Sequence, residues 1–330
     1  MKIVTIEDIR DLYVRLSQRG TGFIASKFTF DPMKRTKSAF NAIDIGSSNW
    51  WIIPDIKKRW NHLITGDENT SYEEYLSRDL FQNLDNLSVL SVGSGSCSHE
   101  IKLANLNPAW NVYCLDVSDK LLQEAKLTAA GMNLKNISFI HDDAYSYNPR
   151  GIRFDVILFH SSLHHFKNIK EFLTGNINTM LKPGGKLIIN EYVGPNRLQY
   201  NKKQIKAINE ALSLIDKQYK RIHKTKLYKH HYYGSGLLRM IIADPSECVD
   251  SESILPVIHE NYKTIVERPY GGNILMSCLK DIAHHFVDVN ENKKRILQDL
   301  FAKEDKNLKY NLSDFVFGVY EKTHNMPVEN

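Results

Sequence analysis

The chain has 330 residues, with 43 Lys and Arg against 38 Asp and Glu, a net charge of +5 and a pI near 8.8. A hydrophobic fraction of 42% and a charged fraction of 25% exclude a disordered chain and fit one large α/β domain with additions, or two domains. The cysteines, Cys97, Cys114, Cys248 and Cys278, are scattered with no C-x-x-C pair, which excludes a zinc ribbon or disulfide framework and fits a reducing cytoplasm.

The stretch MKIVTIEDIRDLYVRLSQ carries acids in its first turns and has no apolar h-region, so no signal peptide is expected. No apolar run reaches the roughly 18–20 residues that span a bilayer. Residues 1–86 read as a helical cap around NWWIIPDIKKRW, with Trp50 and Trp51 in its core.

Residues 87–194 alternate regularly. VLSV, NVYCLD, ISFIHD, FDVILF and KLIINEYV read as strands, with helical runs between most of them. SDKLLQEAKLTAAG is the clearest helix: Ser118 is its N-cap, Leu121, Leu122, Ala125 and Ala129 line one face, and Gly131 closes it. NIKEFLTGNINTML is a second helix, stopped by the turn KPGG. Such alternation predicts an α/β fold with a doubly wound, mostly parallel, Rossmann-like sheet. Residues 195–255 interrupt it as a basic insertion after strand five. Residues 256–330 complete the core, with strands at NYKTIVERPY and DFVFGVYEK and a helix at ILMSCLKDIAHHF, on which His284 and His285 pack.

The first strand runs into VGSGSCSHE. Gly93 and Gly95 form G-x-G, but Ser98 stands where a dinucleotide fingerprint has its third glycine, and no G-K-[ST] follows. Asp116 ends the second strand about 20 residues on, the spacing at which a carboxylate chelates a ribose diol. A Gly-rich strand-to-helix turn alone is equally consistent with a purely steric role. Further along come HDDAY after strand three, FDVILFHSSLHHF at strand four and LKPGGKLIINEYV at strand five.

In order and spacing these five pieces resemble class I S-adenosylmethionine-dependent methyltransferases of the bacterial, small-molecule type. The resemblance implies that the turn of Gly93, Ser94 and Gly95 packs on the methionine part of the cofactor. It gives the ribose hydroxyls to Asp116, with Val117 beside it, and the adenine amine to Asp143 with Ala144. It turns the loop from His160 towards the methyl group, with His160 lining the cofactor pocket. Cys97 stands where many members have another glycine, and a small residue still fits. WWIIPDIKKRW, NEYVGPNRLQY, DPSECVDSESILP and PYGGNIL also look like segments of bacterial methyltransferases; they imply the class and leave the acceptor open.

A sulfonium methyl is already electrophilic, so the protein must align an acceptor and exclude water. A hydroxyl acceptor also needs a base. His164 and His165 after strand four and Glu191 at the end of strand five resemble the base and orienter of sugar and polyphenol O-methyltransferases. The same L-H-H occurs where a histidine only caps a helix or packs under a loop. No histidine spacing indicates a metal site, and none is expected. KQYKRIHKTKLYKHHYYGSG, residues 217–236, reads either as a solvated basic face or as a lid. As a lid, its cations and Arg221 would meet an anionic group, Tyr232 and Tyr233 would stack on a ring, and Gly234 and Gly236 would hinge it.

The expected protein is therefore a cytoplasmic methyltransferase that uses S-adenosylmethionine on a small, anionic or sugar-like hydroxyl acceptor. Two rivals stand beside it. One is an RNA methyltransferase, favoured by the charge but without a recognisable RNA-binding module. The other is a non-catalytic cofactor-binding protein on the same scaffold.

Overall fold

The structure, a computed structural model, describes residues 2–19, 48–82 and 84–323. Part of the N-terminal region expected to be a helical cap, residues 20–47, lies outside the described residues. The chain forms two compact units: Ile64–Val193 with Val249–Arg268 and Val316–Asn330, and Met1–Leu63 with Gly194–Cys248 and Pro269–Phe315.

The first unit carries the sheet. Its strands are β1 (Ser88–Val92), β2 (Asn111–Asp116), β3 (Ile137–His141), β4 (Phe154–His160), β5 (Leu181–Tyr192), β6 (Tyr262–Gly271, which ends in the other unit) and β7 (Phe315–Lys322). Their order is β3-β2-β1-β4-β5-β7-β6, and β3-β2, β2-β1, β1-β4 and β4-β5 all pair in parallel. The doubly wound Rossmann-like sheet follows from the sequence alternation. Leu90, Val92, Leu115, Ile157, Phe159 and Leu187 are buried because helices cover both faces. The chain winds outward from β1 to β3, then returns to start β4 beside β1. That reversal makes the carboxyl ends of β1 and β4 the topological switch point, where open α/β sheets bind ligands.

The helix Asp119–Gly131 is capped as expected, with the Ser118 hydroxyl accepting the Leu121 N–H at 3.4 Å. It buries Leu122, Ala125 and Ala129, but its exit differs. Gly131 is still helical, and Asn133, at φ +58°, takes the left-handed position. Asn tolerates that conformation through its short polar side chain.

The KPGG turn is absorbed into the strand. Phe154 to Val156 faces Leu181 to Lys186, so the extra residues bulge where Pro183 has no N–H and Gly184 sits at φ +72°. The helical run before it is a short helix at Ile169–Glu171 that widens to a π-helix over Phe172–Ile177. The insertion after strand five is helical, with helices at Lys202–Ser213 and Leu237–Ala243, and the next helix, Ile254–Asn261, belongs to the unit that carries the sheet. No described helix is long and apolar enough to cross a membrane.

In the second unit the helices Ile6–Arg19, Lys202–Ser213, Leu237–Ala243, Leu275–Leu279 and Glu291–Leu308, with most of Pro54–Thr65, enclose a core of Trp50, Ile53, Ile56, Ile208, Leu212, Leu275, Phe286 and Leu297. Trp50 meets Trp60 edge-on at 4.7 Å and Phe315 at 5.5 Å. Trp51, also expected in this core, is 48% exposed. ILMSCLKDIAHHF does not run as one helix: it leaves helical geometry at Lys280, and His284 and His285 lie on the 3-10 turn Ala283–Phe286.

The basic segment is stitched into this unit. Ile222 N–H donates to Leu227 C=O and Lys229 N–H to Lys220 C=O, both at 2.8 Å, forming a hairpin. Tyr232, expected to stack on an acceptor, is a core residue, with its backbone held by Asn209. Gly236 N–H donates to Asp8 at 2.8 Å; a Cβ on Gly236 would fall 1.8 Å from the same carboxylate, so only glycine fits.

Candidate active site

The glycine turn is built by the strand it leaves and the strand beside it. Gly93 and Ser94 both donate N–H to the Leu115 carbonyl, at 2.8 and 3.2 Å. Gly93 has φ +70°, and a Cβ there would lie 2.7 Å from Ser162 Cβ in the loop after β4. Its lack of a side chain lets that loop approach β1. Gly95 has φ +54° with open space beside it. Cys97 is fully buried and itself left-handed, with its thiol 3.4 Å from Ser94 Oγ.

Asp116 faces this turn. Its Oδ2 accepts Gly95 N–H at 2.8 Å and its Oδ1 accepts Ser118 N–H at 2.7 Å. Each carboxylate oxygen has a second lone pair, so a ribose diol can still be chelated. Val117 is half-buried, and its carbonyl lies 3.2 Å from His141 Nε2. After β3, Asp143 Oδ1 accepts Tyr145 N–H at 3.0 Å, a local turn that leaves the half-buried carboxylate at the strand end, next to buried Ala144. The open space at Gly95 and the acceptor capacity of Asp116 and Asp143 therefore fit a nucleoside cofactor laid across the ends of β1, β2 and β3.

Glu191 is fully buried at the end of β5. Its Oε1 accepts the Ser162 N–H in a short bond and the Leu163 N–H at 2.7 Å. Its Oε2 accepts Tyr192 N–H at 3.0 Å and lies 2.6 Å from His164 Nδ1. One carboxylate thus shapes the loop after β4 and fixes the His164 ring. Such a partner puts the proton on Nδ1 and the basic lone pair on Nε2. His165 is half-buried, with its ring 4.2 Å from that of His164.

His160 is drawn into a different group. Its ring stacks on Tyr72 at 5.3 Å and lies 3.7 Å from the ring of His99. His99 Nδ1 in turn lies 2.5 Å from Glu73 Oε1. Burial, reinforced by the neighbouring His99 charge, holds the His160 pKa well below its usual value. Tyr72, Glu73 and His99 escaped the sequence reading. His99 is far in the chain from the Tyr72–Glu73 pair, and that pair behind a capping Ser71 reads as an ordinary helix start.

A family model described as a methyltransferase domain matches residues 83–312, and the chain belongs to that family, the class I S-adenosylmethionine-dependent methyltransferases. Over 180 residues it is 22% identical to malonyl-[acyl-carrier protein] O-methyltransferase 2 of Ilyobacter polytropus, an alignment covering 54% of this chain and 61% of that protein. Over 100 residues it is 32% identical to the release factor glutamine methyltransferase of Flavobacterium psychrophilum, covering 30% of this chain and 35% of that one. The chain thus spans less than two thirds of either relative. Among solved structures, the plantazolicin methyltransferase BpumL with SAH is 16% identical at a TM-score of 0.42, covering 96% of this chain and 98% of that one. The [4+2]-cyclase SpnF is 13% identical at 0.45, covering 98% of both. Likenesses at these scores carry nothing about the reaction.

Proposed function

We propose that the protein transfers a methyl group from S-adenosylmethionine to a hydroxyl of a small acceptor, with an anionic or sugar-like acceptor as the finer reading. The observation that carries the proposal is the arrangement of Asp116 against the Gly93–Gly95 turn at the switch point of the sheet, with the Glu191–His164 pair on the neighbouring strand ends.

Asp116 holds the ribose of the cofactor, Asp143 and Ala144 the adenine edge, and Gly95 gives the rest of the molecule room. The cofactor supplies an electrophilic methyl on a sulfonium. The chain's own task is to orient the acceptor oxygen, keep water out and take a proton. His164 is the base: its Nδ1–H is held by Glu191, so Nε2 receives the hydroxyl proton as the new O–C bond forms. Glu191 is a positioning residue. It fixes the ring and stabilises the imidazolium, and its buried charge is matched by backbone N–H donors and the imidazole. His165 belongs to the same loop and orders the acceptor beside His164.

Calorimetric titration with S-adenosylhomocysteine is the first test. Micromolar binding that is lost in Asp116→Ala supports the reading. Equal affinity in both proteins removes the cofactor site from this turn.

A further inference from the structure

The helix Ile6–Arg19 is turned the opposite way from an ordinary surface helix. Its acids point inward: Glu7, Asp8 and Asp11 are all buried. Glu7 pairs with Arg10 and accepts the Tyr233 N–H at 3.3 Å. Asp8 accepts the N–H groups of Thr5 and Gly236, at 2.7 and 2.8 Å. Asp8 and Asp11 share the Arg239 guanidinium, and Asp11 also meets Lys280 at 3.1 Å. Among the described side chains of the helix, Val14 alone is apolar and buried. Ile6, Ile9, Leu12 and Tyr13 face outward, each at least half exposed.

The sequence spacing explains the choice. In IEDIRDLYV the acids recur at positions 7, 8 and 11 and large apolar residues at 6, 9 and 13, two stripes on opposite sides of a 3.6-residue turn. Only one stripe can face the rest of the unit. The ion cluster takes that side, and the apolar stripe is left outside.

The neighbouring helix continues this face. The N–H groups of Leu237 and Leu238 donate to the carbonyls of Lys2 and Ile3, at 2.9 and 3.0 Å, so Leu237–Ala243 starts beside the residues that lead into the first helix. Its outward positions, Leu238, Ile241 and Ile242, are again apolar and exposed. With Ile3 and Val4, the two helices show nine large apolar residues, each between 40% and 69% exposed. At on the order of 100 Å² apiece they make roughly 900 Å² of apolar surface. The largest such patch on an ordinary monomer is about 300–600 Å², and a stable association covers about 800 Å² on each partner.

Charge selects the partner. The exposed positions described on the two helices, from Ile6 to Ser17 and from Leu238 to Ile242, carry no charged side chain. The described cations of these helices, Arg10 and Arg239, are held by Glu7, Asp8 and Asp11. An anionic lipid surface would call for lysines and arginines on this face. A second copy needs none: a two-fold contact sets the same stripe against itself, and an uncharged stripe meets no like charge. The spacing of Ile6, Ile9 and Tyr13, three residues then four, is also that of the seam between paired helices.

We propose that the outer face of Ile6–Arg19 and Leu237–Ala243 is the contact between two copies of this chain, related by a two-fold axis.

The test is the mass of the full chain in solution. In sedimentation velocity at micromolar concentration it should run at twice its 38.1 kDa. Ile9→Arg together with Ile241→Arg should give a folded monomer, with the dissociation constant raised at least about a hundredfold, because each unpaired charge enters a two-fold contact twice. An unchanged circular dichroism spectrum shows that the variant is folded. The melting temperature of wild type should rise with protein concentration, and that of the variant should not. A variant that still dimerises overturns the proposal. So does a wild type that is monomeric throughout. In that case flotation with phosphatidylserine vesicles would give the face to lipid, and dimerisation only after deletion of residues 20–47 would give it to the chain's own segment. If the arginines unfold the chain, wild type alone decides. Amide exchange in Ile6–Arg19 and Leu237–Ala243 should quicken on dilution through the dissociation constant, and exchange that is indifferent to dilution overturns the proposal.

Discussion

Asp116 does two things with one carboxylate. It holds the Gly95 and Ser118 N–H groups, and on the proposed reading its second lone pairs take a ribose diol. Asp116→Ala should therefore weaken S-adenosylhomocysteine by at least about tenfold, given the ~1.5–3 kcal/mol of a charged hydrogen bond, and should also lower the melting temperature. Asp116→Asn keeps one acceptor oxygen and should fall between the two, which calorimetry and a thermal melt together resolve. His164 and Glu191 divide differently. His164→Ala should lower turnover of a hydroxyl acceptor by roughly 10²–10⁴-fold and leave nucleoside affinity within about threefold. Glu191→Ala strands the N–H groups of Ser162 and Leu163 in a buried site, so it should cost about 1–3 kcal/mol of stability for each as well as turnover. If turnover survives His164→Ala, the proton leaves by another route. The strand-end positions of the acids and glycines were legible because each follows a strand at a fixed offset. The position of Glu191 beneath His164 was not, since strand five meets the loop after strand four only through the sheet.

Among the elements, the basic hairpin is the one whose role the sequence left in two versions. Lys224, Lys226 and Arg221 are exposed at its surface, while Lys229 is buried. Changing Lys220, Arg221, Lys224 and Lys226 together to Gln tests the surface role. If the segment serves an anionic acceptor, KM should rise severalfold at low salt, less at high salt, because charges are screened beyond about 8–10 Å at physiological ionic strength, and nucleoside affinity should hold. An unmoved KM leaves the run a solvated face.

Lys229 tests the inner side of the hairpin. Its ammonium donates to the carbonyls of Ser277 and Lys280, at 2.5 and 2.7 Å, which closes the end of the helix Leu275–Leu279. Burial lowers its pKa from 10.5 to about 8. Between those values the folded chain holds fewer protons than the unfolded one, so stability should rise with pH across that window and be indifferent to this group below it. The full rise is worth roughly 3 kcal/mol. Denaturant melts of wild type against Lys229→Met should show that slope in the first and not in the second. Elsewhere the hairpin's neighbours unite two motifs that looked unrelated in sequence. Arg197 of NEYVGPNRLQY donates to the carbonyls of Pro245 and Glu247, at 2.6 and 2.9 Å, and so pins DPSECVD.

For the whole molecule, a charge of +5 bears on the rival reading as an RNA methyltransferase. Exposed lysines on a protein of this size give salt-sensitive, sequence-independent attraction to phosphate and nothing more specific. Protein purified at moderate salt should therefore carry no nucleic acid, and its ultraviolet absorbance ratio should be that of protein alone. Co-purifying RNA that survives a salt wash would favour the rival. Non-catalytic binding on the same scaffold predicts nucleoside affinity without transfer to any acceptor in a metabolite pool.

The sequence by itself determined the doubly wound sheet and put the residues proposed to hold the nucleoside at its strand ends. Strand and helix periods are local, and Gly93, Gly95, Asp116 and Asp143 sit where single strands end, so chain order alone places them. It misjudged features that depend on neighbours: the exit of the helix after Ser118, the KPGG bulge, the exposure of Trp51 and the burial of Tyr232. Only the tertiary structure decided that Glu191 holds His164, that Glu73 and His99 meet His160, and that the basic run folds back on its own unit. Each joins residues distant in the chain, and such meetings are set by strand order and packing, which no local pattern records.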